Sequence, residues 1–243
     1  MSDSILIDLS HKEKVEEWPE FALGEEDYDI DYIDKNEGPI DFETVEDYDI
    51  LFIGNVQHTL DGKADKFTQE ELLAIKKYVG EGGSLLLTSG EGGDMDIPMK
   101  KGSIRVLYKM TGVRRFWNGA IQESPSHFLV NRSNIIANEL FNHPITSGIT
   151  EVILPNCTFF TISEEDVEDI IVTSEKAEFR YSEDGAIGVI GPVPVCAVSE
   201  FFSGRCVTVG SSEFLLEDSD FGIDGGDNLK FLQNIISWLT FES

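Results

Sequence analysis

One stretch of the chain, residues 68–94, limits the possible folds more than any other. Thr68 and Glu71 form the capping-box pattern that satisfies two N–H groups at the start of a helix, and aliphatic residues follow at helical spacing. A glycine-rich turn then leads into residues 84–88, a short apolar run typical of a buried parallel strand. The stretch therefore predicts the helix-turn-strand unit of an α/β fold.

Short apolar runs predict three further strands in the first half of the chain. They lie at residues 4–8, 28–33 and 48–54, and the alternation of apolar and acidic residues in the second run is typical of an edge strand. Helices are predicted at residues 12–21 and 102–110. The order of these elements predicts an α/β fold with a mostly parallel, doubly wound central sheet.

The second half of the chain contains more strand patterns than helix patterns. Short runs separated by turns predict extra β-hairpin elements, including a hairpin turn at residues 181–185. The chain closes on an amphipathic helix at residues 228–239, with Asp227 as its N-cap. Since no linker, repeat or low-complexity tract interrupts the sequence, we expect a single domain over residues 1–243.

The charge balance of the chain restricts its partners. Forty-six acidic residues face 18 basic ones, which gives a net charge of −28 spread along the whole chain. A field of this sign repels nucleic acid and anionic membrane surfaces, so we expect neither as a partner. It favours cations or basic protein partners, and a solvated acidic surface suited to a salty cytoplasm is the alternative.

Cysteine usage and hydropathy indicate the compartment. The three cysteines show no CxxC spacing, and Cys196 and Cys206 lie within apolar runs, where cysteine acts as a small hydrophobic residue. This pattern favours a reducing compartment. The sequence shows no N-terminal signal pattern and no run of about 20 apolar residues, the length that a membrane span needs. We therefore expect a cytoplasmic protein with no membrane insertion.

Three stretches carry a resemblance to a known family. They are YDILFIGNVQHT (48–59), FTQEELLAIKKYVGEGGSLLLTSGEGGD (67–94) and GRCVTVGSSEFLLEDSDFGIDGGDNLKFLQNIISWL (204–239), and the phrase NHPITSG (142–148) adds to them. With these, the chain resembles the GIFT domain, a non-catalytic branch of the class I glutamine-amidotransferase-like superfamily. That branch is named for gliding-motility ABC transporter subunits and for subunit 52 of the intraflagellar transport complex B.

The resemblance implies both a fold and a role. The implied fold is a flavodoxin-like three-layer sandwich. The implied role is binding or scaffolding within a protein assembly, either intraflagellar-transport-like or ABC-transporter-associated, without a cofactor. Protein partners follow from that role, and a homo-oligomer is a further alternative. A third hypothesis for the function is a module that binds a sugar or another small molecule.

The position of the family's nucleophile bears on catalysis. Catalytic members of the superfamily carry a cysteine on a strained turn after the strand that here ends near Thr88. This chain has Ser89 and Glu91 there, without the G-x-S-x-G frame, and its four histidines are far apart in sequence. We therefore assign no catalytic residue. A hydrolase with a non-standard site around Ser89, Glu91 and His58 is the alternative.

Polar residues that follow the predicted strands are candidates for a ligand cleft, because ligands of open α/β sheets bind beyond the carboxyl ends of the strands. The candidates are Asp8, Ser10, His11, Asn55, Gln57, His58, Ser89, Glu91, Asp94, Ser211 and Glu213. Converging imidazoles and carboxylates could bind a divalent metal. However, no element carries a histidine pair at ligand spacing, so the sequence predicts no metal site.

The concentrated basic-aromatic patch of the chain is a candidate interface. It consists of Arg114, Arg115, Phe116 and Trp117. Aromatic residues and arginine are enriched at the energetic centres of protein interfaces, so we expect a partner to bind here. The alternative is that the aromatic side chains pack onto the sheet and the arginines pair with the acidic surface.

Overall fold

A computed structural model describes residues 3–11, 13, 18–24, 28–34, 36, 38–55, 67–93, 107–162, 167–182, 184–217 and 219–241. Its strands are β1 (Asp3–Asp8), β2 (Tyr28–Ile33), β3 (Ile50–Ile53), β4 (Ser84–Thr88), β5 (Val113–Phe116), β6 (Gly119–Gln122), β7 (Asn134–Ala137), β8 (Glu139–Leu140), β9 (Val152–Pro155), β10 (Phe160–Ile162), β11 (Val167–Val172), β12 (Glu178–Tyr181), β13 (Ile187–Val189), β14 (Pro194–Phe201) and β15 (Gly204–Val209). Its α-helices are α1 (Glu20–Leu23), α2 (Phe42–Val45), α3 (Gln69–Gly80), α4 (Tyr108–Thr111) and α5 (Asn228–Leu239).

An eight-stranded sheet in the order β2-β1-β3-β4-β15-β14-β11-β8 forms the centre of the fold. The strands from β2 to β15 pair in parallel, whereas β15, β14, β11 and β8 pair antiparallel. The sheet is therefore mixed, and the sequence overestimated its parallel share. The reason is that two of the three antiparallel pairs, β11 with β14 and β11 with β8, join strands distant in sequence, and no local pattern specifies these pairings.

Both faces of the sheet are buried. Ile5 and Ile7 of β1 pack in one apolar cluster with α5, and Leu6 between them packs in a second cluster with α3. Side chains alternate between the two faces of a strand, so a continuous apolar run is what a strand covered on both sides requires. This explains why β1, β3 and β4 could be recognised in the sequence.

Helix α3 begins with the predicted capping box. The Thr68 side chain accepts a hydrogen bond from the Glu71 N–H at 3.2 Å, and the Glu71 carboxylate accepts one from the Thr68 N–H at 2.6 Å. Glu71 is also buried, and its second oxygen accepts from the Ile40 N–H at 3.3 Å. The cap therefore joins the start of α3 to the loop before α2.

The other helix predictions need correction. Of the helix predicted over residues 12–21, the described part is helical only at Glu20–Leu23, and residues 12 and 14–17 lie outside the described residues. Of the helix predicted over 102–110, α4 covers only Tyr108–Thr111, and residues 101–106 lie outside. Asp227 does precede α5, but its carboxylate accepts from the Thr150 N–H at 2.7 Å and caps no helix N–H.

Smaller sheets complete the C-terminal half. They pair β10 with β5, β12 with both β13 and β6, and β7 with β9. The antiparallel pair β12–β13 encloses the turn predicted at residues 181–185. The part of the chain that the structure describes contains no helix long and apolar enough to cross a membrane.

Gly204, the first residue of β15, provides a test of this packing. We expect Gly204→Ala to lower the free energy of unfolding by about 1–3 kcal/mol, because a Cβ there would lie 2.2 Å from the carbonyl oxygens of Val79 and Gly83. Urea denaturation measures the change. Gly188→Ala is the matched control, since a Cβ at Gly188 meets no atom within 4 Å. Equal stability of the two variants would contradict the close contact between α3 and the β14–β15 hairpin.

Candidate functional site

The carboxyl ends of β1, β3, β4 and β15 lie at one edge of the sheet, because these strands run parallel. The described cleft candidates follow these strand ends: Asp8, Ser10, His11, Asn55, Ser89, Glu91, Ser211 and Glu213. Gln57, His58 and Asp94 lie outside the described residues. The candidates that are described divide into a buried cluster at β1 and a polar network at β4 and β15.

The buried cluster is built around Asp8, whose side chain is fully inaccessible. Its Oδ1 atom accepts hydrogen bonds from the Ser10 N–H at 2.9 Å and the Ser10 hydroxyl at 2.6 Å. Its Oδ2 atom lies 2.9 Å from His11 Nδ1. Ser10 thus fixes one carboxylate oxygen of Asp8 and leaves the other facing the imidazole.

Glu13, which no sequence pattern predicts as a site residue, joins this cluster. One of its oxygens, Oε2, accepts from the His11 N–H at 3.0 Å, and the other, Oε1, lies 3.8 Å from His11 Nδ1. Glu13 is 6% exposed, and among the described residues no donor reaches Oε1. The available signal was a carboxylate two residues after His11. It was overlooked because a helix was predicted over residues 12–21.

The far side of the His11 ring is also enclosed. Nε2 lies 3.4 Å from Oε1 of Glu71, and the Phe67 ring stacks on the imidazole with 3.7 Å between ring centroids. Glu71 is held in turn by the capping box of α3. His11 is therefore clamped between two carboxylates on its Nδ1 side, one on its Nε2 side and an aromatic face.

Burial and neighbouring charge shift the protonation of the cluster. Burial raises the pKa of Glu13 to about 9, and the negative charge of Asp8 adds to the rise. For His11, burial lowers the pKa, but the hydrogen bond and charge of Asp8 and the charge of Glu71 outweigh it, so the net shift is upward. At neutral pH Glu13 therefore holds a proton, and the surroundings of His11 shift its pKa toward the cationic form.

These shifts predict that stability falls as pH rises. In the unfolded chain Glu13 loses its proton near pH 4.5, whereas the folded chain keeps it to about 9. The free energy of unfolding should therefore decline across that window by up to about 1.4 kcal/mol per pH unit for this one proton. His11 acts in the same direction, because its contribution is lost as pH rises through its raised pKa. Urea denaturation at a series of pH values, in buffers that contain EDTA, measures how the free energy of unfolding changes with pH.

Glu13→Gln isolates the contribution of Glu13 to that slope. Glutamine keeps the shape of the side chain without a titratable proton, so the variant should show a flatter decline between pH 4.5 and 9. Glu175→Gln, at an exposed loop carboxylate, is the control and should keep the slope of the parent chain. An unchanged slope in Glu13→Gln would show that Glu13 is ionised in the folded state.

The second part of the edge is a network of fixed polar contacts. Glu213 accepts from the Asn156 amide at 2.8 Å, and the Ser211 hydroxyl donates to the Pro155 carbonyl at 2.5 Å. Glu91 pairs with Arg180 of β12 at 2.8 Å. A Cβ at Gly90 would lie 2.8 Å from the Asn55 amide nitrogen, so the ends of β3 and β4 are in close contact.

No histidine among the described residues is hydrogen-bonded to Ser89 in the way that a base contacts a nucleophile. Ser89 is buried, and its N–H donates to the Val209 carbonyl at 2.9 Å. Among the described residues, the histidine side chains have other partners: His11 the β1 cluster, His127 nearby serines, and His143 the Ile145 N–H. His58, the base of the hydrolase alternative, lies outside the described residues.

The described side chains of the candidate interface at residues 114–117 divide between the core and the surface. Phe116 is fully buried and packs edge-to-face on Phe160, while Trp117 stacks on Phe159 with 5.3 Å between centroids. Arg114 is exposed. For Phe116 the structure agrees with the alternative of inward packing, because β5 pairs with β10 and this side chain lies in the core.

A groove of about 350 Å³ lies at the opposite edge of the sheet, between the loop before β3, the end of α3 and the end of α5. Phe42, Tyr48 and Phe241 supply aromatic groups, and Glu46, Asp49 and Glu81 supply carboxylates. Phe241 is 49% exposed. No local sequence pattern predicts this acidic-aromatic groove, because segments distant in sequence form it.

Comparison with protein-family models matches the IFT52 GIFT domain over residues 33–243. The chain belongs to this family. The match begins at the end of β2 and includes every later element of the structure. The acidic-aromatic groove and Glu71 lie within the matched residues, whereas Asp8, His11 and Glu13 of the β1 cluster precede them. The family part of the sequence resemblance is thus confirmed.

Solved structures similar to this GIFT domain share its fold. The mmIFT52 N-terminal domain is 17% identical, with 98% of this chain and 97% of that chain covered and a TM-score of 0.73. The cytoplasmic protein STM1381 from Salmonella typhimurium LT2 is 18% identical over 98% and 99%, with a TM-score of 0.61. A ThuA-like protein from Bacteroides uniformis is 15% identical, with 98% of this chain and 91% of that chain covered and a TM-score of 0.59. Comparison with curated proteins found no match.

Proposed function

We propose that this GIFT domain is a non-enzymatic protein-binding domain that contributes to an intracellular assembly of the intraflagellar-transport type. The observation that supports this most is the family match over residues 33–243. The similarity to the mmIFT52 N-terminal domain over nearly the full length of both chains agrees with it. The family match favours the transport-assembly role over an ABC-transporter-associated one.

The proposal includes several finer points. The chain forms one domain over residues 1–243, with a flavodoxin-like three-layer arrangement of the amidotransferase-like superfamily. Apolar clusters on both faces of the central sheet support that arrangement. The protein acts in the cytoplasm, and its partners are proteins and not nucleic acids, as the charge of −28 favours.

The surface that binds the partner is the acidic-aromatic groove. Carboxylates at its rim attract lysine and arginine side chains, and aromatic faces stabilise the same cations by cation–π contacts. The domain already shows this chemistry internally: Arg205 lies 4.1 Å from the Phe241 ring centroid, and Lys77 lies 3.3 Å from that of Phe42. The occupant is therefore a basic segment of a partner protein.

Two groove variants test the proposal in cells that express the tagged, full-length chain. We expect Phe241→Ala and Glu46→Lys each to lower the recovery of a stoichiometric partner by about tenfold or more, the effect of losing an energetic centre of an interface. Cross-linking and mass spectrometry of the complex should place a lysine- or arginine-rich partner segment next to Glu46 or Glu81.

Matched changes away from the groove provide the controls. Val130→Ala alters an exposed apolar residue, and Glu175→Lys reverses an exposed charge, so both should leave the recovery unchanged. Two results would contradict the proposal. One is that the chain sediments alone at native concentration, and the other is that the groove variants recover the same partner as the parent chain.

A further inference from the structure

The β1 cluster contains three side chains whose ligand atoms face one another. Asp8, His11 and Glu13 each offer one such atom, and the three atoms lie within 4.8 Å of one another. Asp8 Oδ2 is 2.9 Å from His11 Nδ1, and Glu13 Oε1 is 3.8 Å from the same nitrogen. Ligands of a tetrahedral Zn²⁺ ion, each about 2.0–2.2 Å from the metal, lie roughly 3.4 Å apart. The cluster therefore has the dimensions of a metal site.

Each of these side chains is oriented through its other polar atom. Asp8 Oδ1 is fixed by Ser10, Glu13 Oε2 accepts from the His11 N–H, and His11 Nε2 faces Glu71. Metal-ligating histidines regularly direct their second ring nitrogen toward a carboxylate, which sets the tautomer and the ring angle. Glu71 occupies that position here, and the capping box of α3 holds it in place.

Glu13 supplies the observation that points to a ligand. Its side chain is fully inaccessible, and its Oε1 atom, directed at Asp8 and His11, accepts no hydrogen bond from a donor group of the described residues. A buried carboxylate oxygen without a donor is costly. A metal ion between Asp8, His11 and Glu13 would take the place of the Glu13 proton, which is released on binding, and would neutralise the neighbouring carboxylates.

We propose that Asp8, His11 and Glu13 bind one divalent first-row transition-metal ion through Asp8 Oδ2, His11 Nδ1 and Glu13 Oε1, with Glu71 as the positioning residue for His11. One imidazole and two carboxylates suit Zn²⁺ well and suit Mg²⁺ or Ca²⁺ poorly, because the latter prefer oxygen ligands alone. Zn²⁺ is therefore the probe. The site is separate from the groove and from Ser89.

The test is a Zn²⁺ titration of the EDTA-stripped, dialysed full chain against a chromophoric chelator, with millimolar Mg²⁺ present to occupy surface carboxylates. We expect one Zn²⁺ per chain. His11→Asn and Glu13→Gln should each weaken binding at least about tenfold, and Glu71→Gln should weaken it about 10–100-fold, as the loss of an orienting partner does.

His127→Asn and Glu175→Gln are the matched controls and should bind Zn²⁺ as the parent chain does. Circular dichroism shows whether each variant is folded. Independently of the variants, Co²⁺ added to the parent chain should give the visible absorption of a low-coordinate site with a nitrogen ligand. Equal affinity of the parent chain and His11→Asn, or no saturable binding in Mg²⁺, would overturn the proposal and leave the cluster a proton-sharing network.

Discussion

The parallel pairing of β1, β3, β4 and β15 is the constraint on which the rest of the structure depends. It places four strand ends at one edge, so Asp8, Asn55, Ser89 and Ser211 share that edge although the sequence separates them widely. The opposite edge receives the ends of α3 and α5, whose residues line the acidic-aromatic groove. The buried polar cluster and the acidic-aromatic groove therefore lie at opposite edges of the same sheet.

The β1 cluster balances its charges with little help from water. Asp8, Glu13 and Glu71 surround a single imidazole, and all four side chains are buried. Buried carboxylates persist in proteins only when a proton, a cationic side chain or a metal ion offsets their charge. The proton on Glu13 contributes to that balance in the metal-free chain, and the upward pKa shift of His11 acts in the same direction. A bound dication provides the balance when the metal is present.

Local patterns in the sequence predicted the first half of the fold well. Strands β1, β3 and β4 are continuous apolar runs because both of their faces are covered, and the capping box located the start of α3. The antiparallel order of β14, β11 and β8 could not be predicted, because it depends on pairings between distant segments.

The same limit applied to the functional residues. His11 and Asp8 were predicted as neighbours because they lie at the end of one strand, whereas Glu13 was not predicted because the sequence favours a helix over residues 12–21. For Phe116 the sequence left an interface and inward packing as alternatives, and only the pairing of β5 with β10 shows that it is buried. Where a side chain's surroundings come from another segment, composition alone misplaces it.

The most direct test of the β1 cluster is anomalous diffraction at the zinc edge from crystals of the full chain grown with Zn²⁺. We expect one anomalous peak about 2.0–2.2 Å from each of Asp8 Oδ2, His11 Nδ1 and Glu13 Oε1. Zinc peaks confined to surface carboxylates, with none between these three atoms, would contradict it.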